Sequence, residues 1–111
     1  MLVRLRESYL ISTGPVTIDV TVGEGQKGFT EVLLNGATIA SGSSIHALTV
    51  PGISGQKLRV TSTVTDTNPA TNNTSVTYTL SGGKETLTFT SAHTVGSAGD
   101  TVDYDAIFLL I

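Results

Sequence analysis

Regular alternation between apolar and polar side chains is the feature that most constrains how this chain can fold. In "VTIDVTV" at 16–22, valine or isoleucine occupies every second position, and the pattern recurs in "LRVTSTVT" (58–65), "SVTYTL" (75–80) and "TLTFT" (86–90). Successive side chains of a β-strand point to opposite faces, so each segment is expected to be a strand with one face in a core and one in water. No segment holds the apolar stripe of an amphipathic helix over three turns.

The spacing of these runs predicts an all-β fold. Nine strands are expected, at residues 3–11, 16–22, 29–34, 37–40, 45–50, 58–65, 74–80, 86–90 and 102–111. Asn35-Gly36 lies between two of them and predicts a type I′ hairpin, because both central positions of that turn need positive φ. Short antiparallel strands at this spacing are typical of a β-sandwich, with a closed or partly open β-barrel as the alternative. A chain of 111 residues fits one such domain, residues 1–111.

Composition excludes several classes of function. The chain has no cysteine, so neither a disulfide framework nor a thiolate metal site is possible. A net charge of −3 with 14% charged residues leaves no basic face of the kind that binds nucleic acid. No apolar run is long enough for a membrane span, so no membrane insertion is expected. "MLVRLRESYLI" at the N-terminus is not a signal peptide, because charges interrupt its apolar residues. The richness in Thr, Ser, Gly and Val is shared with bacterial surface modules, phage structural proteins and small lectins, which favours an extracellular, cell-surface or virion-associated location.

One end of the domain is the predicted place for a ligand. If consecutive strands run antiparallel, the loops at 23–28, 41–44, 66–73 and 91–100 lie at the same end. Loops on a rigid scaffold often carry binding residues. The candidate ligand-binding residues there are Asp66, Asn68, Asn72, Asn73, His93 and Asp100. The competing interpretation, which we favour for the Asx-rich loop 66–73, is turn chemistry, since Asp and Asn bond to their own backbone and Asn-Pro initiates turns.

Acidic and amide side chains also suggest a calcium site. Asp103 and Asp105 fall on the same face of a predicted strand, about 7 Å apart. With the Asx-rich loop they supply the hard oxygens that Ca²⁺ prefers. The alternative set of metal ligands is Asp66, Asn68, Asp100, Asp103 and Asp105. The two strand aspartates could equally protect an edge strand from aggregation, and we favour that interpretation for the pair.

The segment "GDTVDYDAIFLLI" at 99–111 resembles small calcium-dependent bacterial lectins of the fucose/mannose-binding type. Those lectins are cysteine-free sandwiches of similar size, with an Asp/Asn-rich stretch and a tyrosine just before an apolar C-terminal strand. The resemblance implies calcium-dependent carbohydrate binding. Those lectins have a denser acidic run and a C-terminal glycine, whereas this chain ends in Ile111.

The last strand is unusual because residues 106–111 are an unbroken apolar run. Such a run is explained by burial of both faces in a central strand, or by contact of one face with another subunit. The candidate interface residues are Ile107, Leu109 and Ile111.

Catalysis is not predicted. The two histidines are His46 and His93, and a Ser-His-Asp set built from Ser91 or Ser97 with His93 and Asp100 has no nucleophile elbow or oxyanion-hole motif beside it. The sequence therefore favours a non-catalytic β-sandwich binding or assembly module without a cofactor. We expect a surface, adhesion or virion-type structural component that forms a homo-oligomer and binds a protein or carbohydrate. The alternative is a small calcium-dependent carbohydrate-binding protein.

Overall fold

The computed structural model describes residues 1–111, which form nine β-strands and no helix. The strands are β1 Leu2–Tyr9, β2 Val16–Val22, β3 Lys27–Leu34, β4 Ala37–Gly42, β5 Ile45–Val50, β6 Lys57–Thr65, β7 Asn73–Ser81, β8 Leu87–Thr94 and β9 Thr101–Leu110. All nine predicted strands are present. The largest difference from the predicted bounds is at the end of β8, which continues to Thr94. No helix is long and apolar enough to cross a membrane.

The strands form two sheets packed face to face, which confirms the β-sandwich. The five-stranded sheet has the order β1-β9-β6-β3-β4, and the four-stranded sheet has the order β5-β2-β7-β8. Neighbouring strands are antiparallel except β1 and β9, which pair in parallel from Leu2↔Asp103 to Tyr9↔Leu110. β9 therefore lies between β1 and β6. The interpretation of Asp103 and Asp105 as an edge-strand device is wrong, because β9 is hydrogen-bonded on both sides.

Aromatic rings from both sheets meet in the core. Tyr78 of β7 and Phe108 of β9 are fully buried, with ring centroids 5.5 Å apart in an edge-to-face arrangement. Phe89 of β8 packs on the other side of Phe108 at 5.7 Å. Truncating a buried ring of this kind to alanine typically costs about 3–5 kcal/mol. These rings join β9 to the four-stranded sheet.

The Asn35-Gly36 turn is confirmed. β3 ends at Leu34 and β4 begins at Ala37, and the two turn residues have φ angles of 51° and 89°. Asn35 is among the few non-glycine residues that adopt this region readily. Its side-chain oxygen also accepts a hydrogen bond from the backbone N–H of Lys57 at 2.9 Å, which fastens the hairpin to β6.

The predicted grouping is found for the loops at 23–28, 66–73 and 91–100, which hydrogen bonds join. The loops 23–26, 66–72 and 95–100 meet at one end of the sandwich, which we call the Asx-loop end. The backbone N–H of Val95 donates to the carbonyl of Asn72, and that of Asp66 donates to the carbonyl of Asp100, both at 2.9 Å. Residues 91–94 of the predicted fourth loop lie in β8 instead. His93 is thus a strand residue, and its prediction as a loop residue is wrong.

Candidate functional site

A buried glutamine organises the Asx-loop end. The side-chain oxygen of Gln26 accepts hydrogen bonds from the backbone N–H groups of Thr67 and Asn68, both at 2.8 Å. Its side-chain nitrogen donates to the carbonyls of Thr71 and Asn73, at 3.2 and 2.9 Å. One amide group therefore satisfies four backbone groups of the loop. The sequence carries no signal for this role, because the partners are more than 40 positions away and "GEGQKG" looks like an ordinary turn.

The amide side chains of the Asx-rich loop bond within the loop region, as turn chemistry predicts. The side-chain oxygen of Asn68 accepts from the N–H of Ala70 at 3.0 Å, and its nitrogen donates to the carbonyl of Glu24 at 2.9 Å. The side-chain oxygen of Asn73 accepts from the Thr94 hydroxyl at 2.8 Å. The side chain of Asn72 is exposed. Asn68 and Asn73 thus use these amide groups to hold the loop against its neighbours.

The two aspartates at this end, Asp66 and Asp100, differ in exposure and in the hydrogen bonds of their side chains. Asp100 is exposed, and its Oδ2 accepts from the N–H of Ser97 at 3.1 Å. Asp66 is 2% exposed, and neither of its carboxylate oxygens has a hydrogen-bond partner in the protein. Its backbone N–H and carbonyl bond to Asp100 and Gly99, both at 2.9 Å. The structure therefore brings Asp66 and Asp100 next to each other on adjoining segments.

His93 lies beside this end rather than in it. It pairs with Thr74 across β7 and β8, and its carbonyl accepts from the Thr74 hydroxyl at 2.6 Å. The same hydroxyl lies 2.6 Å from the phenol oxygen of Tyr104 in β9. Thr74 and Tyr104 thus form a buried polar contact between the two sheets.

Asp103 and Asp105 share one face of β9, as the sequence predicts, but that face is the outer surface of the five-stranded sheet. Asp103 is exposed and accepts from the Thr63 hydroxyl at 3.0 Å. Asp105 is buried and accepts from Arg59 at 3.0 and 3.1 Å and from Arg6 at 3.3 Å. Burial raises the pKa of Asp105, but the two arginines outweigh that effect and hold it below its usual value.

The predicted metal ligands therefore fall into separate groups. Asp66, Asn68 and Asp100 lie at the Asx-loop end, whereas Asp103 and Asp105 lie on the outer face of β9. No cluster of three or more His, Asp or Glu side chains is placed to hold a metal ion. A site that uses all five residues is not assembled, and calcium-dependent carbohydrate binding stays a prediction.

Basic and apolar side chains lie together on the outer face of the five-stranded sheet. Strand register places Arg6, Ile107, Arg59 and Leu33 side by side, with Leu109 next to Lys57 in the following row. We call these six residues the basic-apolar face. They border two open depressions of about 640 and 530 Å³ that share Lys57 and Ile107. Five of the six basic residues of the chain point outward from this sheet, namely Arg4, Arg6, Lys27, Lys57 and Arg59.

The predicted interface residues all belong to this side of the molecule. Ile107 is partly buried, Leu109 is 39% exposed and Ile111 is 46% exposed. The backbone of Ile111 bonds to Tyr9 and Ile11, both at 3.0 Å, so it prolongs the pairing of β9 with β1. β9 is thus central in its sheet, as the first interpretation of the apolar run requires, while nothing in the chain covers its outer face.

The outer face of the four-stranded sheet is polar, in contrast to the basic-apolar face. Threonines face outward along its strands, and cross-strand pairs bring hydroxyls together, as in Thr77 with Thr90 at 3.1 Å and Thr79 with Thr88 at 3.2 Å. His46, at an edge of this sheet, is exposed and lies 3.1 Å from an oxygen of Asp19. One face of the sandwich is therefore polar, and the other exposes large apolar side chains.

Comparisons with protein-family models, characterised proteins and solved structures found no match for this chain.

Proposed function

We propose that the protein is a non-catalytic β-sandwich module that self-associates through the basic-apolar face, as a structural component of a cell surface or virion. The observation that carries the proposal is the outward position of Ile107 and Leu109 on β9. A strand in this sheet needs only one apolar face to build the core. The second apolar face is explained by contact with another molecule.

The chemistry of the face supports a second copy as the occupant. Glu31 and Asp103 lie on the same sheet surface, in the rows farther from the end that carries Leu109. Two copies that pack face to face with their strands antiparallel bring Lys57 and Arg59 of one copy toward the half of the other that carries these acids, which also holds Arg4 and Lys27.

The size of the surface suits a stable dimer. Five strands about 4.8 Å apart and six to ten residues long span roughly 24 by 27 Å, or about 650 Å², which lies within the range of about 600–1,000 Å² per partner for standard interfaces. A standard protein interface buries about 800 Å² on each partner. Burying one Leu or Ile side chain contributes about 1.5–3 kcal/mol, so covering Ile107 and Leu109 of each copy would stabilise the dimer.

The test is the mass of the protein in solution. Sedimentation equilibrium of the unmodified chain over a range of concentrations is expected to give a dimer, and Leu109→Asp is expected to give a folded monomer. The substitution leaves the core intact, because Leu109 points outward and the new carboxylate lies next to Lys57. Circular dichroism and the thermal midpoint check that the variant is folded.

Two further variants make the test specific. Glu31→Lys reverses a charge that the proposed dimer uses and should weaken association without affecting the fold. Thr79→Asp places the same carboxylate on the outer face of the four-stranded sheet and should leave the mass unchanged. A protein that is monomeric at every concentration, or a Leu109→Asp variant that keeps the dimer mass, would contradict the proposal.

A further inference from the structure

Asp66 is the one residue whose buried side-chain polar atoms have no hydrogen-bond partner in the protein. It follows β6 directly and continues the series of inward-facing positions Leu58, Val60, Ser62 and Val64. Buried polar groups in folded proteins are almost always hydrogen-bonded, and an exception calls for a specific explanation. A carboxylate is the most demanding case, because an unpaired buried charge costs several kcal/mol.

The chain offers no compensation for this carboxylate. The salt bridges of the protein involve Asp105 and Asp19, not Asp66. The nearby amide donors are already engaged, since Gln26 donates to the Asx-rich loop and Asn68 donates to Glu24. No side chain of this protein is placed to pair with Asp66, so a cation from outside the chain would compensate its charge.

The loop 95–100 lies against Asp66 and brings further oxygen atoms. Gly99 donates to the Asp66 carbonyl, and its φ of 88° is a conformation that favours glycine. Asp100 follows, and only its Oδ2 is engaged, by Ser97, which leaves Oδ1 uncommitted. Two aspartates and the carbonyls of a turn are a set of hard oxygen donors.

We propose that Asp66, with Asp100 and backbone carbonyls of loop 95–100, binds a calcium ion. Calcium accepts six to eight oxygen ligands in flexible geometry, including backbone carbonyls. The site is independent of the basic-apolar face, which lies on the outer surface of the sheet, and its test does not depend on oligomer mass.

The experiment is a comparison of thermal midpoints in calcium chloride and in EDTA. At a hundred times the dissociation constant, calcium is expected to raise the midpoint by roughly 10 °C. Asp66→Asn keeps the shape of the side chain and removes its charge, so this variant should show no calcium response. Asp100→Asn should show a reduced response, and Asp103→Asn, the matched control on the outer face, should respond like the unmodified protein.

Isothermal titration with calcium chloride gives a second readout that does not depend on unfolding. One ion per chain for the unmodified protein and none for Asp66→Asn supports the site. No midpoint shift and no heat at millimolar calcium would overturn it, as would an equal shift in Asp66→Asn. An Asp66→Asn variant that is more stable than an unmodified protein indifferent to calcium would overturn the proposal too.

Discussion

The carboxylate of Asp105 accepts hydrogen bonds from two nitrogens of Arg59 on the neighbouring strand, with Oδ1–Nε and Oδ2–Nη2 distances of 3.0 and 3.1 Å. Arg6 on the opposite neighbour donates to the same carboxylate and to the Asp105 carbonyl, at 3.3 and 2.8 Å. One carboxylate thus joins three adjacent strands across the outer surface of the sheet. Paired donors in this geometry are stronger than single neutral hydrogen bonds.

The ion pairs of Asp105 with Arg59 and Arg6 predict that the folded protein loses stability in acid. The folded-state pKa of Asp105 lies below its ordinary value of about 3.9, so its contribution to stability is fully present above that pH and is lost as the pH falls through the folded-state pKa. Asp105→Asn should lower the free energy of unfolding at pH 7 and reduce the loss of stability as the pH falls below about 4. Urea unfolding measured across this range checks both effects. Asp103→Asn is the control, and an identical pH profile for the two variants would contradict the prediction.

Removing the hydrogen bonds of the Gln26 side chain is predicted to disorder the Asx-rich loop locally. Gln26→Leu leaves four backbone groups of the Asx-rich loop without their partner and should lower the free energy of unfolding by about 2–4 kcal/mol. Hydrogen exchange of the amides of Thr67 and Asn68 should accelerate, because Gln26 accepts from both of them.

The matched control is a second buried glutamine at the other end of the sandwich. The side-chain oxygen of Gln56 accepts one hydrogen bond, from the N–H of Ile53 at 2.8 Å. Gln56→Leu should cost about 1–2 kcal/mol and leave exchange in the Asx-rich loop unchanged. Equal exchange effects of the two variants on residues 67 and 68 would show that Gln26 has no special role there.

Strand positions could be predicted because they depend on local pattern. Alternation over a few residues fixes which side chains face the core, and Asn35-Gly36 encodes its own turn. Alternation does not say which strands pair, so the parallel pairing of β1 with β9 could not be foreseen. The same reason explains the error on Asp105, whose partner Arg59 is 46 positions away.

Asp66 was predicted as a candidate ligand because it lies in the Asx-rich loop. The structure singles it out because its carboxylate is buried without a hydrogen-bond partner. The alternation of β6 already implies that position 66 faces inward, since it continues the buried series that ends at Val64. That signal was present in the sequence, but the alternation of β9 places Asp100 at an inward-facing position too, so the difference in burial between the two residues is seen only in the structure. The role of Gln26 had no such signal, because it depends on loops that meet only in the folded chain.

Replacing Ala47 with glycine is predicted to stabilise the protein. It has a φ of 51°, a region that is unfavourable for alanine, at the point where the pairing of β2 with β5 shifts register. Its N–H donates to a carboxylate oxygen of Asp19 at 2.8 Å, which holds the irregular backbone in place. Ala47→Gly removes the steric strain, partly offset by the greater freedom of the unfolded chain, and should stabilise the protein by roughly 0.5–1 kcal/mol. Chemical denaturation measures the change. Ala92→Gly in the regular part of β8 is the control and should destabilise by about 0.5–1 kcal/mol.

The burial of Tyr78 and Tyr104 predicts that the fold loses stability at high pH. Burial raises the pKa of Tyr78 well above its ordinary value of about 10, and burial also raises the pKa of Tyr104 despite the opposing effect of its hydrogen bond with Thr74. A raised folded-state pKa means that both groups stabilise the fold fully below about pH 10, and that this stability is lost as the pH rises further.

Ionisation of these two tyrosines should therefore accompany unfolding. Absorbance at 295 nm is expected to show their titration in the same pH range in which far-ultraviolet circular dichroism reports loss of the strands. Tyr104→Phe should remove one of the two late ionisations while the hydroxyl of Thr74 keeps its bond to the carbonyl of His93. If Tyr78 and Tyr104 instead ionise near pH 10 while the circular dichroism stays native, their burial does not control their protonation, and the alkaline limit of the fold must have another cause.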